Sequence, residues 1–284
     1  MSLRIHILLR QVRAAVDGTT QIITVLILLL TMVVSVIVTQ FVRRRRDLYV
    51  LRPIPAYTAL PLVVGEAIEA NRPIHVSFGS AGIGGGTTPL TLASAELLYQ
   101  TAERAAIGGV APILTVSDST AIPLGQDTLR RAYQSRGLMD NYRRGSVRWY
   151  PAGPRSLAFA AALTATLGDD RVSSNILIGS FGSELALVAE ASIRRDRTVI
   201  ATSDQLEGQA VAFVMADYPL IGEEIFTAGA YLGDSPSQTA GVVAQDVLRY
   251  ILILAIMIPT IFALGDAFLQ GRFSAAVSRL FGGG

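Results

Sequence analysis

The chain contains no cysteine and no lysine. Without cysteine it can form no disulfide, no thiolate zinc site, no iron–sulfur cluster and no thiol nucleophile. Without lysine it lacks the phosphate-contacting side chain of a Walker loop and any Schiff-base nucleophile. All 24 basic residues are arginine. Histidine is nearly absent too: His6 and His75 are the two in the chain. His75 falls inside an apolar run and reads as a packed strand residue. A serine hydrolase needs glycine on both sides of its nucleophile, and Ser180 has Gly182 after it but Ile178 before it. Glu223-Glu224 and Asp169-Asp170 are acidic pairs without a neighbouring histidine, so they read as solvated surface. No catalytic residue and no metal ligand emerges, and an enzyme is the least supported of the functional readings.

Long apolar runs, by contrast, are abundant. Hydrophobic residues make up 51% of the chain, and the mean hydropathy is +0.46. Ile22–Val42 is uncharged for 21 residues, enough to cross a hydrocarbon core of about 30 Å at roughly 1.5 Å per residue. Tyr250–Gly265 is uncharged for 16 residues and contains Pro259. It is short for a span, but Arg249 can snorkel and the apolar pattern resumes after Asp266. The first run is too long for a signal-peptide core and no small-residue cleavage site follows it. Arg43 to Arg46 follow instead, and the positive-inside rule places them, and the domain beyond them, in the cytoplasm. Thr31, Ser35 and Thr39 recur every four residues in the first run, as do Ala255, Pro259 and Ala263 in the second. Such small or hydroxylated stripes suit helix–helix packing.

Charge is unevenly spread. The net charge is +2, yet Asp47 to Asp246 holds 14 arginines against 20 acids. The sequence pI of about 9.1 is therefore no argument for nucleic-acid binding. From Arg130 to Arg155 seven arginines face one acid, Asp140, interleaved with Tyr133, Tyr142, Trp149 and Tyr150. Arginines among aromatics can stack on bases, meet lipid headgroups or an acidic subunit, or form ordinary surface. The expected partners are membrane lipids and further copies or other membrane proteins, with no nucleic acid.

The coarse pattern between the apolar runs alternates. Strands are expected at 74–78, 112–116, 147–150, 175–179, 198–202 and 210–215, and helices at 90–107, 126–142, 155–167 and 183–192. "LRPIPAYTALP" reads as an extended connector because of its prolines, and "LVVGEAIEANRP" as a short helix. An echo links the two halves. Ser77-Phe78-Gly79-Ser80 closes the first strand and Ser180-Phe181-Gly182-Ser183 the fourth; Ser117-Asp118 and Ser203-Asp204 close the strands that follow each. A unit used twice is how a doubly wound sheet of order 3-2-1-4-5-6 is built. The fold class is thus α/β: a Rossmann-like, doubly wound, mostly parallel sheet inserted between two transmembrane helices. The expected division is an amphipathic interfacial helix at 1–20, a first span at 21–42, and a basic connector with a short helix at 43–73. The α/β domain follows at 74–234, then a helix continuing into the second span at 235–270 and a tail at 271–284.

In that topology ligands bind at the carboxyl ends of the first and fourth strands, where both SFGS segments fall. The glycine-rich loop after the first strand suits an anion cradle, since glycine allows positive φ and close ligand approach. Candidate binding residues are Ser77, Gly79, Ser80, Gly82, Gly84, Gly85, Gly86 and Thr87, with Asp118 as a ribose partner and Ser180, Gly182 and Ser183 across the crevice. The G-x-G-x-x-G fingerprint is incomplete, because Thr87 stands where its third glycine belongs, and Asp118 lies further along than usual. The cofactor stays unknown; a nucleotide is compatible and none is preferred.

The segments "HVSFGSAGIGG", "ILTVSDSTAIPLGQDTLRRAY", "ILIGSFGSELALV" and "ATSDQLEGQAVAF" resemble an uncharacterised group of prokaryotic membrane proteins, a domain of unknown function, over roughly residues 50–265. The resemblance implies a membrane-anchored domain and brings no activity or catalytic residue with it. Two functional expectations stand. One is a scaffold subunit, in a homo-oligomer or a larger membrane complex. The other is a membrane-anchored module binding a nucleotide or other small anion at the glycine-rich loop.

Overall fold

A computed structural model of the chain describes residues 2–44, 51–152, 156–233 and 236–268. These form two compact units. One consists of two long helices, α1 (Ser2–Arg44) and α9 (Pro236–Phe268), packed against each other. Thr20–Val42 within α1 has a mean hydropathy of 3.0 and Ser237–Leu264 within α9 one of 2.3. Both are long and apolar enough to cross a bilayer. The second is longer than its uncharged run suggested, since the helix begins at Pro236 and passes Asp246 and Arg249 before the apolar stretch. The amphipathic leader and the first apolar run form one continuous helix.

The other unit is the α/β domain. Its elements are α2 (Pro55–Glu69), β1 (Ile74–Gly79), α3 (Thr88–Ala105), β2 (Ile113–Val116), α4 (Ala121–Ser135), β3 (Val147–Trp149), α5 (Leu157–Asp169), β4 (Ser174–Ser180), α6 (Leu185–Ile193), β5 (Thr198–Ser203), α7 (Leu206–Met215), β6 (Tyr218–Pro219) and α8 (Ala228–Leu232). The sheet runs β3-β2-β1-β4-β5-β6, and each neighbouring pair is parallel. This is the doubly wound order that the repeated strand endings implied.

A parallel sheet covered on both faces reads as unbroken burial, and every residue of β1, β2 and β4 is buried. Val76, Phe78, Leu114, Val116, Ile176 and Ile178 pack with α2, α3 and α4 in one cluster. Leu177, Val199 and Ala201 pack with α5, α6 and α7 in the other. The two SFGS phenylalanines divide accordingly, Phe78 into the first and Phe181 into the second.

Two local expectations fail, for identifiable reasons. Residues 210–215 are not a strand but the end of α7. Parallel neighbours need a crossover of about a dozen residues, so the chain after β5 must turn helical before it can pair again; the sixth strand shrinks to Tyr218 and Pro219. The connector expected to be extended is helical from Pro55. Proline is tolerated in a first turn because its missing N–H would have no intrahelical acceptor there. The same reasoning covers α4, which starts at Ala121 with Pro123 in its first turn and not at 126. Gly125 then lets α4 lie close on β2, since a Cβ there would stand 2.3 Å from Leu114 Cδ2.

Candidate functional site

The ends of β1 and β4 meet, as the topology requires, but they close on each other. The Ser80 amide donates to the Ser180 carbonyl at 2.8 Å, and the Ser80 hydroxyl donates to the same oxygen at 3.1 Å. Gly79 takes φ +60, and a Cβ on it would lie 2.2 Å from the Ser180 oxygen. A Cβ on Gly179 would lie 2.0 Å from the Phe78 oxygen. These glycines serve backbone-to-backbone contact between strands. Ser77 is fully buried, donating to the Thr115 carbonyl and accepting from the Gly79 amide.

The loop from Gly82 to Thr87 is held by its own side chains. The Gly82 amide donates to Thr87 Oγ1, that of Ile83 to Thr120 Oγ1 and that of Gly84 to Thr88 Oγ1. Asp118 does reach this loop: its carboxylate lies where a Gly82 side chain would begin, and its Oδ1 accepts from the Thr120 amide and hydroxyl. On the β4 side, Ser180 Oγ accepts from Gln205 Nε2, and the Gly182 amide donates to the buried Glu184 carboxylate at 2.8 Å. Ser183 is exposed. Both loops thus spend amides on internal oxygens and set a carboxylate beside them. The amides of Gly85, Gly86 and Thr87 at the loop tip have no acceptor among the described residues.

His75, expected to be a packed strand residue, is fully buried between its neighbours. Its Nδ1 lies 2.6 Å from Asn175 Oδ1 and its Nε2 2.8 Å from Thr115 Oγ1. Burial lowers its pKa from the ordinary 6.5 to about 4, against the opposing hydrogen bond to Asn175. It is a neutral spacer in the sheet. Among the described residues no group of three or more acidic or histidine side chains could hold a metal.

The arginine-rich stretch resolves into separate jobs. Arg130 and Arg131 pair with Asp127, and Arg136 with Glu103. Tyr133 is buried in the core and Tyr142 donates to the Gln126 carbonyl, so these rings are not a stacking surface; Arg155 lies outside the described residues. Arg143 and Arg148 belong to a cavity that the strand pattern did not indicate. It lies at the amino ends of β1, β2 and β3, opposite the SFGS segments, with a volume of about 780 Å³. Arg72, Arg143, Arg148 and Arg171 line it with a single carboxylate, Asp170. Asp170 is committed to Arg148 through two contacts of 2.5 and 2.9 Å. That fork holds the Asp170 carboxyl below its usual range and pushes the Arg148 guanidinium up. Two turns on the rim are strained, with Asn71 at φ 50 and Arg171 at φ 51.

No curated protein and no solved structure matches the chain. A family model does, over residues 13–273, a range that takes in the α/β domain and most of both long helices. The chain belongs to the family described as a domain of unknown function, DUF6754.

Proposed function

We propose that the protein is a membrane-anchored structural subunit that assembles with further copies of itself through its α/β domain. The observation that carries this reading is the outer face of α7. Its buried side consists of Gly208 and Ala212, while Leu206, Phe213 and Val214 are 88%, 68% and 79% exposed. Leu157 on α5 and Leu187 on α6, in the same layer, are half exposed as well. Clustered apolar side chains of this kind mark association surfaces. In this reading α1 and α9 cross the membrane, and Arg43 to Arg46 keep the domain cytoplasmic. Tethering every copy to one plane raises the effective concentration of identical faces, which favours a second copy as the occupant.

A second reading, an anion at the tip of the loop before α3, is favoured by the three amides of Gly85, Gly86 and Thr87. Asp118 opposes it.

Native mass spectrometry of the full chain in mild detergent tests the proposal. A multimer that falls to monomers in Leu206→Glu/Phe213→Glu supports it. A monomeric wild type, or a multimer indifferent to those changes, overturns it. A small assembly carrying a constant extra mass of nucleotide size would favour the second reading.

A further inference from the structure

We infer that the cavity at the amino ends of β1, β2 and β3 is a binding site for a compact, multiply charged phosphate-bearing ligand. Four guanidiniums line it against one carboxylate. Asp170 is already engaged by Arg148, so Arg72, Arg143 and Arg171 have no acidic partner among the described residues. Like charges gathered around a concave space repel unless an anion offsets them, and arginine's planar fork matches phosphate oxygens.

A second observation is independent of charge. Ser146 lines the same cavity and is 8% exposed, yet its hydroxyl makes no hydrogen bond to a described residue. Its oxygen is open to the cavity and free to donate, and a phosphate oxygen there would accept from it. The cavity is of ordinary ligand size, about 780 Å³ against roughly 300–1,000 Å³ for small-molecule sites.

The lining also limits the ligand. Among the described residues it contains no aromatic side chain, and its apolar members are small or aliphatic, such as Val110, Ala111 and Ile113. It offers no platform on which a base could stack. The chemistry therefore points away from a nucleotide and toward a dense anion such as a pyrophosphate or a phosphomonoester, either free in solution or carried by a lipid headgroup. This site is separate from the loops at the carboxyl ends of the strands, and from the α7 face on which self-association is proposed.

The test is titration calorimetry of the full chain in a neutral detergent at constant ionic strength. Inorganic pyrophosphate is the soluble probe and dihexanoyl phosphatidic acid the lipid probe. The key variant is Arg143→Gln/Arg171→Gln, because both residues are exposed and neither side chain has a partner to lose among the described residues. Arg194→Gln, at the residue that follows α6 and pairs with Glu190, is the remote control. At least one probe should saturate, and the double variant should weaken it by about tenfold or more, the scale of charge-assisted hydrogen bonds, with the control unchanged. Asp170→Asn should tighten binding severalfold, since it frees Arg148. Saturation by pyrophosphate assigns a soluble ligand, and saturation by the lipid probe alone assigns a headgroup. Failure of both probes to saturate, or equal binding by the double variant and wild type, overturns the inference.

Discussion

His75 of β1 and Asn175 of β4 are joined side chain to side chain across the centre of the sheet, Nδ1 to Oδ1 at 2.6 Å. The rest of the chain of contacts assigns the proton. Asn175 Nδ2 donates to Ser192 Oγ, which donates to the Val188 carbonyl. The Asn175 oxygen must then accept from His75 Nδ1–H, leaving Nε2 to accept from the Thr115 hydroxyl. Both ring nitrogens are thereby satisfied in the neutral form, and burial disfavours the charged one.

The first prediction concerns pH. The folded-state pKa of His75 is lowered to about 4 from 6.5 by burial, so the unfolded chain takes up the proton first. Stability is complete above about pH 6.5 and is lost as pH falls toward about 4, a loss of about 3 kcal/mol by linkage. Trp149, the one tryptophan, sits on β3 and reports domain unfolding. Denaturation of the full chain in detergent should show this slope in the wild type, and His75→Gln should flatten it. An equal slope in both proteins would count against the neutral-histidine account.

A second prediction contrasts two glycines. Gly179→Ala drives a methyl into the Phe78 carbonyl and should cost about 3 kcal/mol or more, because backbone cannot step aside. Gly85 has open space around it, and Gly85→Ala should stay within about 0.5 kcal/mol. Unfolding curves for the two variants decide, and equal destabilisation would refute the sealed-strand description.

The third prediction addresses the clasp where the domain begins and ends. Tyr57 Oη donates to the Glu224 carbonyl at 2.6 Å and stacks on Tyr231 at 5.2 Å, while Arg52 binds the Glu224 carboxylate. Burial raises the Tyr57 pKa above its ordinary value, so the hydroxyl stays a donor. Tyr57→Phe removes the hydrogen bond but keeps the stacked ring, and should cost about 1 kcal/mol. Arg52→Gln, at an exposed guanidinium, should cost less. The reverse order in denaturation midpoints would place the strength of the clasp in the ion pair.

A fourth prediction concerns Arg148 and Asp170. Their fork depresses the carboxyl's pKa, so its contribution is present at neutral pH and is lost as pH falls below the ordinary carboxylate range. Asp170→Asn should remove that acid-side loss and lower neutral-pH stability by about 1 kcal/mol, both groups being partly exposed. Denaturation of both proteins at about pH 3.5 and below, where the His75 change is nearly complete and common to both, isolates this effect.

Much of the architecture was determined locally. Two apolar runs set the long helices, and the repeated Ser-Phe-Gly-Ser and Ser-Asp endings marked which strands are equivalent. The strand order followed from that equivalence. What local pattern could not decide was "AVAFVM" at 210–215, because a short apolar run suits either strand or buried helix. The need for a crossover between β5 and β6 decided it. Pattern also could not tell whether the glycines near the strand ends face a ligand or each other; the backbone distances at Gly79 and Gly179 decided that. The arginine cavity depended most on tertiary structure. Arg72, Arg143 and Arg171 come from three separate connections and Arg148 from β3 itself, and only the parallel sheet brings the amino ends of its strands to one side. Sequence spacing records neighbours along the chain, while charge and concavity arise between segments that folding brings together.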